Sequence, residues 1–162
     1  VRVADDEAQG GTRTPASEMD FSGSVVVGVD GAGEKNPAVA HAIQYALSHD
    51  ATLSLVSVNG ALSGTPEWFQ DQYNQTYYFQ ESLERLSELA RTIAEREPRL
   101  RVTQHAFLGR PGRVLVQATR TADLVVVGSR GIGGFTGLLL GSVSQAVLSS
   151  AAGPVMVVPS GR

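Results

Sequence analysis

The chain has 162 residues, a formal net charge of −3, and 42% hydrophobic and 18% charged residues. These values are typical of one globular domain that is long enough to bury a core. The acidic balance argues against a nucleic-acid binder, whose surface is normally basic. The absence of cysteine excludes disulfides and thiolate metal sites and fits a cytoplasmic protein. No apolar run approaches the roughly 20 residues of a membrane helix, so we expect no membrane partner.

The amino-terminal part of the chain differs in composition from the rest. Residues 1–22 are polar and acidic and have no apolar periodicity. Such a segment buries too little surface to offset the entropy of ordering it. The sequence therefore predicts a disordered extension over residues 1–22 and a single domain over residues 23–160.

Within the domain, short β-branched runs alternate with helical patterns. The predicted strands cover residues 24–30, 51–58, 99–109, 123–128 and 154–159. Asn36 and Pro37 are a typical N-cap and first residue for the helix after the first strand. Leu83, Leu86 and Ile93 mark a long second helix, and residues 110–122 and 142–151 form the last two. Alternating strands and helices predict an α/β fold: an open, mostly parallel five-stranded sheet with helices on both faces.

The stretch GSRGIGGFTGLLLGSVSQ, residues 128–145, follows the fourth strand directly. Ligands of open α/β sheets bind beyond the carboxyl ends of the strands, where the strand order reverses. A Walker A loop needs a lysine that this stretch lacks, and the dinucleotide pattern G-x-G-x-x-G fails because Thr136 stands at its third glycine. Neither pattern fits, so the stretch is either a flexible turn or a loop whose backbone an anion approaches closely.

The spacing that does fit is G-x2-G-x9-G-[ST], at Gly128, Gly131, Gly141 and Ser142. Together with GVD at the end of the first strand, this pattern resembles the universal stress protein family (UspA-like), in its ATP-binding branch and its actinobacterial type. The resemblance covers residues 24–159. It implies a Rossmann-like fold of the adenine nucleotide alpha-hydrolase type and an ATP ligand, with or without Mg²⁺.

The chemistry of the stretch is consistent with a phosphate site. Gly141 and Ser142 open a helix, whose first amides are unpaired and carry a partial positive charge. The hydroxyls of Ser142 and Ser144 add donors. The alternative is that Ser142 only caps its helix. Arg130 either meets a phosphate or is a solvated loop residue.

The resemblance also implies which residues contact the nucleotide. Asp30 would lie near the ribose and adenine, the backbone of Val58 would contact the adenine edge, and residues 141–144 would hold the phosphates. Ala32 departs from the family, which often has serine there. The complete set of implied nucleotide-binding residues is Gly28, Val29, Asp30, Val58, Val127, Gly128, Arg130, Gly131, Gly141, Ser142, Val143 and Ser144.

Three functions remain open at this stage. The first is a nucleotide-dependent stress-response or signalling module with no catalytic residue. The second is a slow ATPase in which Asp30 and Mg²⁺ orient water, although no general base is visible. The third is a cAMP-binding protein of the same family. The family further implies a homodimer through the terminal strand, and the apolar run VMVV between two prolines fits an edge strand that seeks a partner.

Overall fold

The computed structural model describes residues 19–30, 33–59, 72–129 and 140–159. The strands are β1 (Ser24–Gly28), β2 (Thr52–Asn59), β3 (Val102–Leu108), β4 (Leu124–Gly128) and β5 (Val155–Val158). The helices are α1 (Pro37–Ser48), α2 (Gln72–Arg96), α3 (Pro111–Ala118) and α4 (Ser142–Ser150). A short 3₁₀ turn, Gly33–Lys35, precedes α1.

The five strands form one sheet in the order β3-β2-β1-β4-β5. All neighbouring pairs run parallel, which confirms the predicted fold class. The chain moves outward from β1 through β2 to β3 and then crosses back to β4 and β5. The strand order therefore reverses between β1 and β4, which is where an open α/β sheet leaves a crevice for a ligand.

Two hydrophobic cores lie on opposite faces of the sheet, and β1 contributes to both. Val25 and Val27 pack with residues of α1 and α2. Val26 packs on the other face with Leu115 of α3 and Val147 of α4. The three valines of β1 are completely buried, as expected for a central parallel strand that is covered on both faces. Each contributes about 1.5–3 kcal/mol relative to an exposed side chain.

The start of α1 agrees with the sequence. Asn36 is the N-cap, and its side-chain oxygen accepts a hydrogen bond of 3.0 Å from the Ala38 N–H. Pro37 occupies the first helical position, where a missing N–H is harmless. This helix end, close to the end of β1, is thus closed by its own side chain.

The folded part of the chain begins earlier than predicted. Phe21 was assigned to the disordered extension, but it is only 4% exposed and packs in the core beneath α3 and α4. Its N–H donates to Thr121 Oγ1 at 2.9 Å, and the Gly23 N–H donates to Asp123 Oδ1 at 3.2 Å. One aromatic side chain in a polar segment creates no periodicity, so the pattern could not reveal it. Residues 1–18 lie outside the described residues.

The sheet has two edges, β3 and β5. Among the described residues β5 pairs only with β4, so the last strand is an edge strand, as the sequence suggested. Residues 60–71, which connect β2 to α2, lie outside the described part of the chain. Of the helices in the described ranges, none has the length and apolar character needed to cross a membrane.

Candidate functional site

The carboxyl ends of β1 and β4 separate from each other. Their paired residues end at Val27 and Val126. On either side, pairing continues further: the Val29 N–H donates to the Val56 carbonyl at 2.8 Å, and the Ser129 N–H donates to the Val158 carbonyl at 2.8 Å. The crevice expected at the reversal of strand order therefore opens between β1 and β4.

A cavity of about 450 Å³ lies at this edge of the sheet. Its wall is formed by the ends of β1 and β2, the 3₁₀ turn at Gly33 and one face of α2. Val29, Asp30 and Val58, three of the predicted site residues, line it. The volume lies within the range of pockets that hold small molecules, about 300–1,000 Å³.

The charges around the cavity are mainly acidic. Asp30 and Glu88 bring carboxylates to its wall, and Arg85 brings a guanidinium. Arg85 forms an ion pair with Glu81 one turn earlier on α2. The described wall thus carries two carboxylates and one guanidinium, so the cavity suits a neutral polar group better than an anion.

Asn59, the last residue of β2, is a lining residue that the sequence analysis missed. The Ser82 hydroxyl, on α2, donates to Asn59 Oδ1 at 3.0 Å, and the Asn59 carbonyl accepts from the Gly109 N–H at 3.0 Å. Asn59 Nδ2 is buried and has no hydrogen-bond partner within the described part of the chain. An Asn-Gly pair is typical of a turn, so the sequence suggested that β2 ends before Asn59. In the structure β2 includes Asn59, and Ser57 and Asn59 lie on the same face as Leu53 and Leu55, the face that α2 covers.

The polar residues of α2 that line the cavity form a pattern that is visible in the sequence. Ser82, Arg85 and Thr92 line the cavity together with Leu86 and Leu89. These spacings place the polar residues along the edge of the apolar stripe of the helix. Polar side chains bordering an apolar stripe can indicate a helix that faces a ligand, so the pattern was available in the sequence.

The start of α4 forms a different kind of surface. Gly141 is the N-cap, with φ −76° and ψ 168°, and it offers no capping side chain. Ser142 is therefore the first helical residue and not the cap. The amides of the first turn, at Ser142, Val143 and Ser144, have no intrahelical acceptors and lack the cap that Asn36 gives to α1. The positive end of the helix dipole is directed to the same place.

This helix start is fixed to the end of β4. The Gly141 N–H donates to the Ser129 carbonyl at 2.6 Å. The Ser144 hydroxyl lies 2.9 Å from the Gly141 carbonyl and 3.2 Å from the Ser129 carbonyl. Ser144 is only 1% exposed, and its single proton is used within the fold. The Ser144 hydroxyl therefore ties the start of α4 to the end of β4.

Two other predicted positions, Val127 and Gly28, take part in packing. Val127 is 2% exposed, so its side chain belongs to the core and only its backbone reaches the edge of the sheet. At Gly28, an added Cβ would lie 3.0 Å from Leu115 Cδ1, so the missing side chain serves packing against α3. Gly128 ends β4 as predicted. Arg130 and Gly131 lie outside the described residues.

None of the three histidines lines the cavity. His41 and His49 are exposed, and each places Nδ1 2.9 Å from a carbonyl one turn earlier in α1. His105 lies on β3 between Phe21 and Phe107, and burial lowers its pKa. Within residues 19–30, 33–59, 72–129 and 140–159, no three His, Asp or Glu side chains form a group that could hold a metal ion.

The strand order and the cavity define a doubly wound α/β protein with a ligand-sized pocket at the edge where the order reverses. The sequence model described as the universal stress protein family matches residues 22–159. The chain belongs to the universal stress protein family. The resemblance inferred from the glycine spacing is confirmed.

Curated relatives come from mycobacteria, in agreement with the actinobacterial type. A universal stress protein of Mycolicibacterium smegmatis is 35% identical over 156 residues, which cover 95% of this chain and 48% of the relative. A universal stress protein of Mycobacterium tuberculosis is 35% identical over 133 residues, covering 82% of this chain and 44% of the relative. The chain thus spans about half the length of these relatives.

Solved structures agree on the fold. UspA from Lactobacillus plantarum superposes with a TM-score of 0.66 at 17% identity, covering 86% of this chain and 99% of the other. A universal stress protein solved in complex with cAMP has a TM-score of 0.56 at 25% identity, covering 88% of this chain and 100% of the other.

Proposed function

We propose that this chain binds an adenine nucleotide, with ATP as its ligand, and acts as a nucleotide-dependent stress-response or signalling module. The observation that carries the proposal is the pairing of two unlike surfaces at one edge of the sheet. A polar, acidic cavity lies at the ends of β1 and β2, and an uncapped helix start lies beside β4. A nucleotide has the matching halves, a neutral base and an anionic phosphate chain.

The base and ribose belong in the cavity. Its volume suits them, and its carboxylates disfavour phosphate. Asp30, at the end of β1, is placed to accept hydrogen bonds from ribose hydroxyls. The backbone of Val58 lies past the paired part of β1, so its polar groups are positioned to contact the edge of the base.

The phosphates belong at α4. Unpaired first-turn amides and the helix dipole make a helix start an anion site, and Gly141 leaves room for a phosphate to approach. Gly128, Ser142 and Val143 would contact the phosphates through their backbone. Ser144 would hold the helix start in position, and we retain Arg130 and Gly131 as further phosphate contacts.

Mg²⁺ fits this arrangement without a dedicated metal site. Magnesium usually binds through one or two carboxylates together with substrate phosphates and water, so Asp30 could serve as the protein ligand. The ion would neutralise phosphate charge close to the acidic cavity. No residue in the described ranges is placed as a general base, so we propose a binding protein rather than an enzyme.

In this proposal the chain signals by whether its site holds a nucleotide. A ligand that binds only the folded state stabilises it by about 2.7 kcal/mol at a concentration 100 times its Kd. We propose that such a shift alters the association of the chain with itself or with other proteins. A homodimer through β5 is the proposed form, because among the described residues that strand pairs only with β4 and its other edge is open to a partner.

A second candidate ligand has its own support. The related structure at 25% identity was solved with cAMP. Cyclic AMP has one phosphate and would use less of the α4 start than ATP does. The two ligands therefore make different demands on the same site.

Calorimetric titration of the protein with ATP, ADP, AMP and cAMP, each with and without Mg²⁺, tests the proposal. We expect ATP to bind most tightly and the affinity to fall as phosphates are removed. Tighter binding of cAMP than of ATP would favour the second candidate. No binding of any of the four would overturn the proposed function.

A further inference from the structure

The amide of Asn59 is the least satisfied polar group around the cavity. Among the residues that the structure describes, Asn59 Nδ2 is the buried side-chain atom with no hydrogen-bond partner. Buried polar atoms are paired in the large majority of cases, and an unpaired donor reduces stability. Because Asn59 lines the cavity, a bound ligand is a physical reason for such a donor.

Ser82 determines which end of this amide remains unused. Its hydroxyl donates to Asn59 Oδ1 at 3.0 Å, so the oxygen end is occupied and the nitrogen end is left. A side-chain amide nitrogen offers two protons and accepts none. The unpaired Nδ2 of Asn59 is therefore a donor, and a ligand can pair with it only through an acceptor atom that carries no proton.

We propose that Asn59 recognises the base: on binding, its amide turns into the cavity and donates a hydrogen bond to a ring nitrogen of adenine. Ser82 is a positioning residue: it occupies the oxygen end of the amide, so that the nitrogen end is the one left for the ligand. This inference rests on the proposed function. Adenine presents unprotonated N1, N3 and N7 around its rim, so it offers the acceptors that the free donor requires.

The chain contains a matched pair that is not in the cavity wall. Gln104 on β3 donates through Nε2 to the Ser87 hydroxyl on α2 at 2.6 Å. Both pairs are hydrogen bonds between the side-chain amide of a strand residue and a serine of α2. Neither Gln104 nor Ser87 lines the cavity, so Ser87→Ala is a control for Ser82→Ala.

The experiment measures affinities for ATP and its 1-deaza, 3-deaza and 7-deaza analogues with the wild-type protein and with Asn59→Leu. Removing one hydrogen bond corresponds to about a tenfold loss of affinity. We expect Asn59→Leu to lose about tenfold for ATP. One analogue should bind about tenfold more weakly than ATP to the wild-type protein but as well as ATP to the variant.

Stability separates recognition from a structural role. Asn59→Leu removes the unpaired buried donor and also the acceptor of the Ser82 hydroxyl. Because a helical serine can donate instead to a carbonyl of its own helix, the variant should keep its melting temperature while it weakens ATP binding. Ser82→Ala should weaken ATP binding by a smaller factor, and Ser87→Ala should leave it unchanged. If Asn59→Leu lowers both the melting temperature and the affinity for ATP, Asn59 has a structural role and the inference is overturned.

The two proposals can fail separately. If the wild-type protein binds no ATP, the proposed function is wrong. If it binds ATP but every analogue loses the same affinity in the wild-type protein and in Asn59→Leu, only the role of Asn59 is wrong.

Discussion

At the scale of single residues, the tightest constraints lie where backbones approach each other closely. A Cβ added at Gly153 would lie 2.4 Å from the Thr119 carbonyl oxygen, and one added at Gly112 would lie 2.9 Å from Ala146 Cβ. Gly153 lets the chain pass beneath the end of α3 before β5, and Gly112 lets α3 approach α4. These glycines therefore determine how close the elements pack.

We expect Gly153→Ala to lower the free energy of unfolding by about 1–3 kcal/mol, because the backbone of Thr119 must move to admit the methyl group. Urea denaturation monitored by circular dichroism measures the change. Ser150→Ala, at an exposed position nearby, is the control and should change it by less than about 0.5 kcal/mol. Equal stability of Gly153→Ala and the wild type would show that this contact is not tight.

Gly141 offers a substitution with opposite effects on the fold and on the ligand. Its backbone is extended, so any residue can adopt it, and an aspartate there would cap the first-turn amides of α4. We expect Gly141→Asp to keep or raise the melting temperature and to weaken ATP binding by about a hundredfold or more, since its carboxylate repels phosphate and occupies the amides.

Gly141→Ser is the matched variant, with a neutral cap, and should weaken ATP binding less than Gly141→Asp does. Melting temperature and calorimetric affinity are measured on the same samples. ATP binding by Gly141→Asp at wild-type strength would place the phosphates elsewhere.

At the scale of elements, β3 and the segment before β1 are joined through aromatic rings. His105 on β3 contacts Phe21 edge to face, with ring centroids 5.2 Å apart, and lies parallel to Phe107 at 6.3 Å. One of its ring nitrogens lies 3.2 Å from Thr103 Oγ1. Burial lowers the pKa of His105 below its ordinary value of 6.5.

This lowered pKa predicts a loss of stability in mild acid. Well above pH 6.5 the imidazole is neutral in both the folded and the unfolded chain and does not affect the free energy of unfolding. As the pH falls below 6.5, the unfolded chain takes up the proton first, so the free energy of unfolding decreases. Urea denaturation at pH 7.5 and 5.5 should show this decrease in the wild type and a smaller one in His105→Phe.

The exposed His41 provides the control for this measurement. His41→Gln should retain the pH dependence of the wild type, because His41 is exposed on α1 and does not take part in the ring contacts of His105. The same decrease in His105→Phe as in the wild type would assign the effect to other groups.

The elements themselves could be predicted well from the sequence. The run of β-branched residues in β1 indicated a strand buried on both faces, and Asn36 with Pro37 indicated the start of α1. Phe21 could not be predicted, since its burial depends on β3 and α3, which are distant in sequence. Asn59 was missed because its local sequence is typical of a turn, whereas its role depends on Ser82 across the cavity.

At the scale of the whole molecule, the proposed pairing with a second copy depends on the open edge of β5. The Val125 N–H donates to the Pro154 carbonyl, and the Ser129 N–H donates to the Val158 carbonyl. Since the N–H and C=O of one residue point to the same side in a strand, those of Val155 and Val157 face the open edge. They are the groups that a second sheet would use.

We expect Val157→Pro to weaken dimerisation while the monomer remains folded, because it removes only an N–H that β4 does not use. Light scattering across a dilution series measures the mass, and circular dichroism checks the fold. A wild-type protein that stays monomeric at high concentration, with and without ATP, would contradict the proposed dimer.

The site as a whole was predictable in part, for a physical reason. Alternating strands and helices determine that ligands bind at the carboxyl edge, and the glycine spacing indicated the region after β4. The cavity is covered by α2, which is separated from β2 by residues 60–71. The polar residues of α2 can be assigned to the cavity wall only when the position of the helix over β1 and β2 is known. Distribution of one site over distant elements is what limits prediction from a single sequence.

The most direct test of the central claim is to follow the backbone amide NMR signals of the protein during titration with ATP. We predict that the amides of Val29, Val58 and Asn59, beside the cavity, and those of Ser142 and Val143, at the start of α4, change together with one saturation curve. Unchanged signals at both groups in excess ATP would contradict the account.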